Sequence, residues 1–258
     1  MLFLYIMIDS ILEFNRQFVA SKGYEPYVTD KFPAKKLAVL TCMDTRLTEL
    51  LPQALGLRNG DAKIIKNAGG LVLSETDSAI RSLLVGIYEL GVEDVMVVHH
   101  STCGACHMSY GEFKPHMLER GISEQTLSEW EKDGVAGWLE GFHDTEASVR
   151  RTVAAVVNHP LVPWDVTVRG FIIDSVTGEL TEVECPDSLR VARVKEMEFR
   201  FGRASLSRNP EDLNVLRNYM DSGQWLSDFE ADEAGLLPPR LKRGVLSEDG
   251  LYNLLQEI

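Results

Sequence analysis

Residues 37–46 read Leu-Ala-Val-Leu-Thr-Cys-Met-Asp-Thr-Arg, an unbroken apolar run that ends in polar residues. A strand buried on both faces has such a run, whereas a strand with one wet face alternates apolar and polar residues. The pattern returns in Asp94–Val98, which leads directly into His99 and His100. We therefore predict strands at 37–41 and 94–98, inside a sheet that is covered on both sides.

Helical segments alternate with further strands around these two. The predicted helices are 47–55, ending at Gly56, 76–90, ending at Gly91, and a polar helical section within 123–158. The further predicted strands are 62–66, 166–174 and 179–183, the last two joined by a hairpin turn. This alternation predicts an α/β fold with a mostly parallel β-sheet flanked by helices.

The sequence changes character near residue 187, after which charged residues alternate and turn signals follow. We expect two domains, residues 1–187 with the sheet and residues 188–258 as a small helical C-terminal appendage. The acidic run Asp228–Glu233 is predicted to be a solvated helix face. A last helix is expected near Ser247.

Composition excludes some classes of partner. The net charge of -13 predicts repulsion from phosphate backbones and anionic membranes, so we expect no nucleic acid and no membrane partner. The apolar start Met1–Ile8 lacks a basic flank and is too short to cross a bilayer, so we interpret it as the beginning of an amphipathic helix. Four cysteines without an export signal favour a reducing, cytoplasmic location.

Three metal-ligating residues follow the two central strands. Cys42 ends the first strand, and His100 and Cys103 follow the second. Strand ends of a parallel sheet meet at one edge, so these side chains are expected to converge. A helix beginning at Cys103 would stabilise its thiolate. Two thiolates and one imidazole suit zinc and leave a fourth position open, as in catalytic sites.

Two further groups lie at the same predicted edge. Asp44 and Arg46 are close enough to pair, and an ionised Asp44 could orient a nucleophile on the open side of the metal. Released from Arg46, the same carboxylate could instead bind the zinc. Gly69 and Gly70 follow the second strand and allow close backbone approach, which makes them candidate substrate-binding residues.

Over residues 36–183 the chain resembles the β-class carbonic anhydrases. The resemblance is carried by three motifs in the same order: Cys-x-Asp-x-Arg, Asn-Ala-Gly-Gly and His-x-x-Cys-Gly. The resemblance implies one zinc ion per subunit on Cys42, His100 and Cys103, with Asp44 and Arg46 as the catalytic pair. It implies reversible hydration of carbon dioxide to bicarbonate by zinc-bound hydroxide, in a homodimer or higher homo-oligomer. Relatives hydrolyse carbonyl sulfide or carbon disulfide, which leaves the substrate open. The C-terminal segment resembles a small helical domain of unknown function.

Other interpretations of these residues stay open. The chain could instead be a zinc-bearing binding or regulatory protein in which Asp44 coordinates the metal and no reaction is catalysed. Cys103 and Cys106 could form a redox pair, although this leaves His100 unexplained. We expect Cys106 to be a core-facing helix residue and His99 to be a packed or surface histidine rather than a proton shuttle.

Overall fold

The computed structural model describes residues 2–256, with side chains for residues 7–247 and 249–256, so Met1 lies outside the described residues. One five-stranded sheet forms the centre, in the order β2-β1-β3-β4-β5. Its strands are β1 (Leu37–Cys42), β2 (Ala62–Asn67), β3 (Asp94–His100), β4 (Thr167–Ile173) and β5 (Leu180–Val183). The first four are parallel, and β5 runs antiparallel to β4 as the hairpin signal indicates. The predicted α/β fold with a mostly parallel sheet is confirmed.

Helices flank the sheet and continue beyond it. They are α1 (Leu2–Ala20), α2 (Leu47–Ala54), α3 (Ser78–Leu90), α4 (Tyr110–Glu119), α5 (Glu124–Lys132), α6 (Val135–Trp138), α7 (Thr145–Val157), α8 (Pro186–Ser207), α9 (Pro210–Asp221), α10 (Gln224–Glu233) and α11 (Glu248–Gln256). The sequence pattern missed α4, because this helix contains Pro115 and buries only Tyr110. None of the described helices is long and apolar enough to cross a bilayer.

The buried strands explain the unbroken apolar runs. Val39 and Val98 pack in one hydrophobic cluster with α2, and Ala38 and Val95 pack in another with α3. Successive side chains of a strand point to opposite faces, so both faces of β1 and β3 are covered. Gly91 ends α3 at a φ of 72°, in the left-handed conformation that the predicted stop requires.

The C-terminal helices share a core with the sheet domain. Val149 and Val153 of α7 lie in the same hydrophobic cluster as Val191 and Val194 of α8 and Leu251 of α11. Helix α8 begins at Pro186, near the expected boundary, and the division into residues 1–187 and 188–258 stays a prediction.

The prediction that the acidic run of α10 is a solvated face is wrong at its first residue. Asp228 is fully buried and accepts hydrogen bonds from Arg193 and from the Tyr219 hydroxyl. The charge pattern of α10 alone could not reveal this, because its cationic partner comes from α8.

Candidate metal centre

The sheet brings Cys42, His100 and Cys103 together. Cys42 is the last residue of β1 and His100 the last of the neighbouring parallel strand β3, so both side chains reach the same sheet edge. Cys103 follows in the turn after β3. The three ligand atoms lie within 4.8 Å of one another, and all three residues are buried. Among the described residues, this is the one group of three or more candidate ligands close enough to hold a metal ion.

The His100 ring is oriented for ligation. Its Nδ1 lies 2.8 Å from the carbonyl oxygen of Ser101, which is an acceptor only, so Nδ1 carries the proton. The other nitrogen, Nε2, is buried without a hydrogen-bond partner among the described residues and presents its lone pair to the cluster. A backbone carbonyl that fixes the tautomer in this way is the usual support of a histidine ligand.

The spacing of the two sulfurs fits zinc. The Sγ atoms of Cys42 and Cys103 are 3.8 Å apart. Two thiolates at about 2.3 Å from a tetrahedral zinc ion would be separated by about 3.8 Å. The orphaned imidazole nitrogen supplies a third donor of the type that zinc prefers, so the residues fit the ion.

The contact between the two cysteines shifts the pKa values of their thiols in opposite directions. The hydrogen bond from Cys103 lowers the pKa of Cys42, and the same contact raises the pKa of Cys103. Backbone N–H groups of Asp44 and Gly69 also lower the pKa of Cys42. The pair therefore favours a thiolate at Cys42 over one at Cys103, and binding of a divalent cation would favour loss of the proton from both.

The helix expected to begin at Cys103 is absent, since residues 101–109 form turns and α4 begins at Tyr110. The contact with Cys42 and burial raise the pKa of Cys103, and the backbone N–H of Ala105 opposes this rise only in part. Cys106 packs against the hydrophobic core as predicted, but it lies in an isolated bridge to Phe142 and not in a helix. A loop can stabilise a thiolate by single N–H groups, which sequence periodicity does not predict.

Asp44 and Arg46 form a bidentate ion pair beside the ligands. Arg46 Nε donates to Asp44 Oδ1 at 3.0 Å, and Arg46 Nη2 donates to Oδ2 at 2.7 Å. The hydrogen-bonded guanidinium holds the pKa of the Asp44 carboxyl well below its usual range. Asp44 Oδ2 also lies 3.8 Å from His100 Nε2. The carboxylate is therefore ionised and next to the metal cluster, yet engaged by Arg46.

Arg46 has further partners that the sequence reasoning missed. Its Nη1 donates to Thr102 Oγ1 at 2.9 Å and to Ser175 Oγ at 3.2 Å, and its Nη2 donates to the carbonyl oxygen of Thr102 at 3.0 Å. Ser175 follows β4, so its place after a parallel strand was a usable signal.

The two candidate glycines approach the site through their backbones. Gly70 has a φ of 71°, and a Cβ on it would lie 3.0 Å from the carbonyl carbon of Thr41. Only glycine combines that conformation with that proximity. Gly69, at a φ of 83°, contributes the N–H that acts on Cys42. A contact of either glycine with substrate stays a prediction.

His99 is packed, as predicted. It is 1% exposed, its Nε2 lies 3.2 Å from the carbonyl oxygen of Gly70, and its ring stacks on Phe142. Burial lowers its pKa to about 4, so the imidazole is neutral near pH 7. His107 and His143, for which the sequence offered no partner, form an exposed pair with their Nδ1 atoms 3.3 Å apart. This pair unites distant segments that no local pattern connects.

Comparisons with known proteins agree with this geometry. The family model described as "Carbonic anhydrase" matches residues 37–180, and a domain of unknown function, DUF4298, matches residues 203–258. The Bacillus subtilis protein "Putative carbonic anhydrase YvdA" is 49% identical over 180 residues, which are 69% of this chain and 91% of that protein. A carbon disulfide hydrolase from Acidithiobacillus thiooxidans is 34% identical over 57% of this chain and 76% of its own length.

Solved structures of similar proteins share the fold. The β-carbonic anhydrase isoform I of Trichomonas vaginalis superposes with a TM-score of 0.63 at 31% identity, covering 68% of this chain and 96% of that one. The carbonic anhydrase of Streptococcus mutans gives a TM-score of 0.54 at 34% identity, covering 69% of this chain and 97% of that one.

Proposed function

This chain belongs to the β-class carbonic anhydrase family, and on that premise we propose that it catalyses the reversible hydration of carbon dioxide to bicarbonate and a proton. The observation that carries the proposal is the buried, unpartnered Nε2 of His100, which faces two thiols 3.8 Å apart and an ionised carboxylate. His99 Nδ1 is also buried without a hydrogen-bond partner among the described residues, but it belongs to no group of candidate ligands, so the convergence of three donor atoms distinguishes the site at His100.

Cys42, His100 and Cys103 would hold one zinc ion per subunit. The ion, when bound, supplies a Lewis acid that acidifies a water molecule and so provides a nucleophile near neutral pH. Three protein ligands leave a fourth position for that water.

Asp44 and Arg46 are the proposed catalytic residues. Asp44 is ionised and acts only as a hydrogen-bond acceptor, so it orients the nucleophile with a lone pair toward the carbon of the substrate. Arg46 occupies both carboxylate oxygens, which keeps Asp44 from becoming a metal ligand itself. Gly69 and Gly70 are the proposed substrate-binding residues, because their backbone lies close to the end of β1 that carries Cys42.

Stopped-flow measurement of carbon dioxide hydration, on protein of known zinc content at mildly alkaline pH, tests this function. We expect turnover that scales with zinc content and that is lost on chelation. A fully zinc-loaded chain without turnover would refute the proposal and favour the non-catalytic zinc-bearing alternative.

Carbon disulfide or carbonyl sulfide hydrolysis is the second candidate. Relatives that are 30–34% identical carry the name carbon disulfide hydrolase, and the same ligands and carboxylate could serve that reaction. Release of hydrogen sulfide from carbon disulfide, measured beside carbon dioxide hydration on one preparation, separates the two. The larger kcat/KM identifies the substrate.

We also propose a homodimer or higher homo-oligomer. Apolar side chains along α1 face solvent in the single chain, each at least half exposed: Ile8, Ile11, Leu12 and Phe14. A second copy that covers this stripe would remove the exposed surface. Light scattering of wild type and of the double variant Ile11→Glu/Phe14→Glu tests this, with dissociation of the double variant expected. A wild-type monomer at micromolar concentration would exclude it.

A reducing, cytoplasmic location is part of the same proposal. Cys42 and Cys103 lie 3.8 Å apart, and oxidation to a disulfide would remove two zinc ligands. Zinc content retained after prolonged exposure to oxidised glutathione would argue against this dependence.

A further inference from the structure

Arg46 is too exposed to hold Asp44 by their ion pair alone. Its side chain keeps 43% of its exposure, and exposed ion pairs are generally weak and exchange easily with water. The orientation of Asp44 therefore depends on what else holds the guanidinium. The additional partners come from two other strand-end turns, those after β3 and β4.

Thr102 provides the first set of hydrogen bonds to Arg46. It presents two acceptors, its hydroxyl and its carbonyl oxygen, to the same guanidinium. Its φ of 53° lies in the left-handed region, which a β-branched residue rarely adopts. Such strain persists only where the surroundings fix it, and here Thr102 lies between the ligands His100 and Cys103.

Ser175 provides the second hydrogen-bond contact to Arg46. It is 5% exposed, and its Oγ lies within 3.2 Å of Arg46 Nη1, Thr102 Oγ1 and Ser101 Oγ. A hydroxyl has one proton and two lone pairs, so its proton and its lone pairs must go to different neighbours. The guanidinium only donates, so a lone pair of Ser175 must face it.

Asp174 sets the direction of these hydrogen bonds. Ser101 Oγ donates to Asp174 Oδ2 at 3.2 Å, and the backbone N–H of Ser175 donates to Ser101 Oγ at 2.9 Å. Asp174 is itself fixed, because its Oδ1 accepts from the N–H groups of Val176 and Thr177. The proton of Ser101 thus points to Asp174, which leaves Ser101 as an acceptor for the Ser175 hydroxyl.

We propose that Ser175, supported by Ser101 and Asp174, is a positioning residue that together with Thr102 holds Arg46 on Asp44 and keeps the Asp44 carboxylate off the metal. The inference rests on the proposed function for its kinetic effect only, since the contacts exist without substrate. It assigns to the β4–β5 turn a role in catalysis although none of its residues lies among the metal ligands.

The variant Ser175→Ala removes one hydroxyl and no other atom. We expect kcat/KM for carbon dioxide to fall roughly tenfold at unchanged zinc content and unchanged Tm, because small errors of position cost rate. Ser188→Ala is the matched control, since Ser188 is a similarly buried serine on α8 and should behave as wild type. Wild-type kinetics of Ser175→Ala would overturn the proposal.

Two further measurements separate positioning from other causes. In a cycle with Asp44→Asn, the double variant should be no slower than Asp44→Asn alone, whereas independent, multiplicative losses would overturn the proposal. The absorption spectrum of the cobalt-loaded protein reports coordination directly. We expect it to change in Ser175→Ala and to be unaffected by Ser175→Ala when Asp44→Asn is also present.

The cobalt spectrum also distinguishes failure of this inference from failure of the proposed function. If the wild type hydrates no carbon dioxide, the proposed function is wrong, and a cobalt spectrum altered by Ser175→Ala still supports the positioning role. An unaltered spectrum overturns it. If Ser175→Ala fails to fold, Asp174→Asn replaces it. Asp174 is half-buried and ends the chain of hydrogen bonds that leads through Ser101 to Ser175, so the same change of the cobalt spectrum is expected.

Discussion

The metal centre and the C-terminal helices both bury ionisable side chains, but they treat them in opposite ways. In the helices, Asp212 and Asp228 are fully buried, and each accepts at least three hydrogen bonds, from arginines and, for Asp228, a tyrosine. At the strand ends, His100 Nε2 is buried with no hydrogen-bond partner in the described part of the chain, and it converges with the two thiols of Cys42 and Cys103. Satisfied buried charges fix a structure, whereas unsatisfied donor atoms that converge indicate a binding site.

The difference follows from what each region must do. Removing one member of these buried ion pairs leaves its partner without compensation, so the helices should lose stability when Asp212 or Asp228 is altered. The strand-end site already carries unsatisfied groups, so altering it should remove metal binding and chemistry.

His100→Ala should abolish the metal centre. Two thiols remain, which are too few to hold zinc in a three-ligand site, so zinc should fall from about one per chain to near zero. Turnover should drop by at least about 10³-fold. Elemental analysis and stopped-flow assays measure both. His116→Ala on the exposed face of α4 is the control, and zinc retained by His100→Ala would contradict the ligand assignment.

Asp228→Ala should destabilise the fold and spare the metal. Arg193 would lose its buried partner, and breaking such a pair costs about 3–5 kcal/mol. Urea unfolding measures the loss, while zinc content and turnover per folded chain should stay at wild-type values. Glu233→Ala, exposed on the same helix, should change the free energy of unfolding by less than about 0.5 kcal/mol. Equal losses of unfolding free energy in the two variants would mean that the buried ion pair of Asp228 does not stabilise the helices.

Asp44→Asn should keep zinc and lose turnover. An amide is not an anionic acceptor and pairs poorly with Arg46, so the nucleophile loses its orientation. We expect kcat/KM to fall about 100-fold, equivalent to about 2.7 kcal/mol of transition-state stabilisation. Glu49→Gln, an exposed carboxylate on α2, should leave turnover unchanged. Full turnover in Asp44→Asn would show that the orienting role is wrong.

Asp174 should add a small dependence of stability on pH. The N–H groups of Thr177 and Val176 lower the pKa of Asp174 to about 2, below its value in an unfolded chain. The folded state therefore favours the carboxylate, whose contribution is complete above about pH 4 and is lost as the pH falls through about 2. Between pH 4.5 and 3, Asp174→Asn should lose less unfolding free energy than wild type in urea titrations. Parallel curves would exclude this linkage.

The sequence predicted much of the sheet because its signals are local. The apolar runs of β1 and β3 and the stop at Gly91 each depend on a few neighbouring residues. The sequence also predicted that the candidate ligands share one edge of the sheet, because the carboxyl ends of parallel strands lie at the same edge. The missing helix after Cys103 shows the limit of local signals, since the chain forms turns there and α4 begins only at Tyr110.

The sequence by itself determined the α/β fold and predicted the convergence of Cys42, His100 and Cys103, because parallel strands run in one direction and end at one edge of the sheet. Only the tertiary structure decided that Ser175 holds Arg46, and that Asp228 is buried rather than solvated. Both contacts join residues far apart in the chain, 129 positions in the case of Arg46 and Ser175. No periodicity encodes such a pairing, because it arises from packing one element against another.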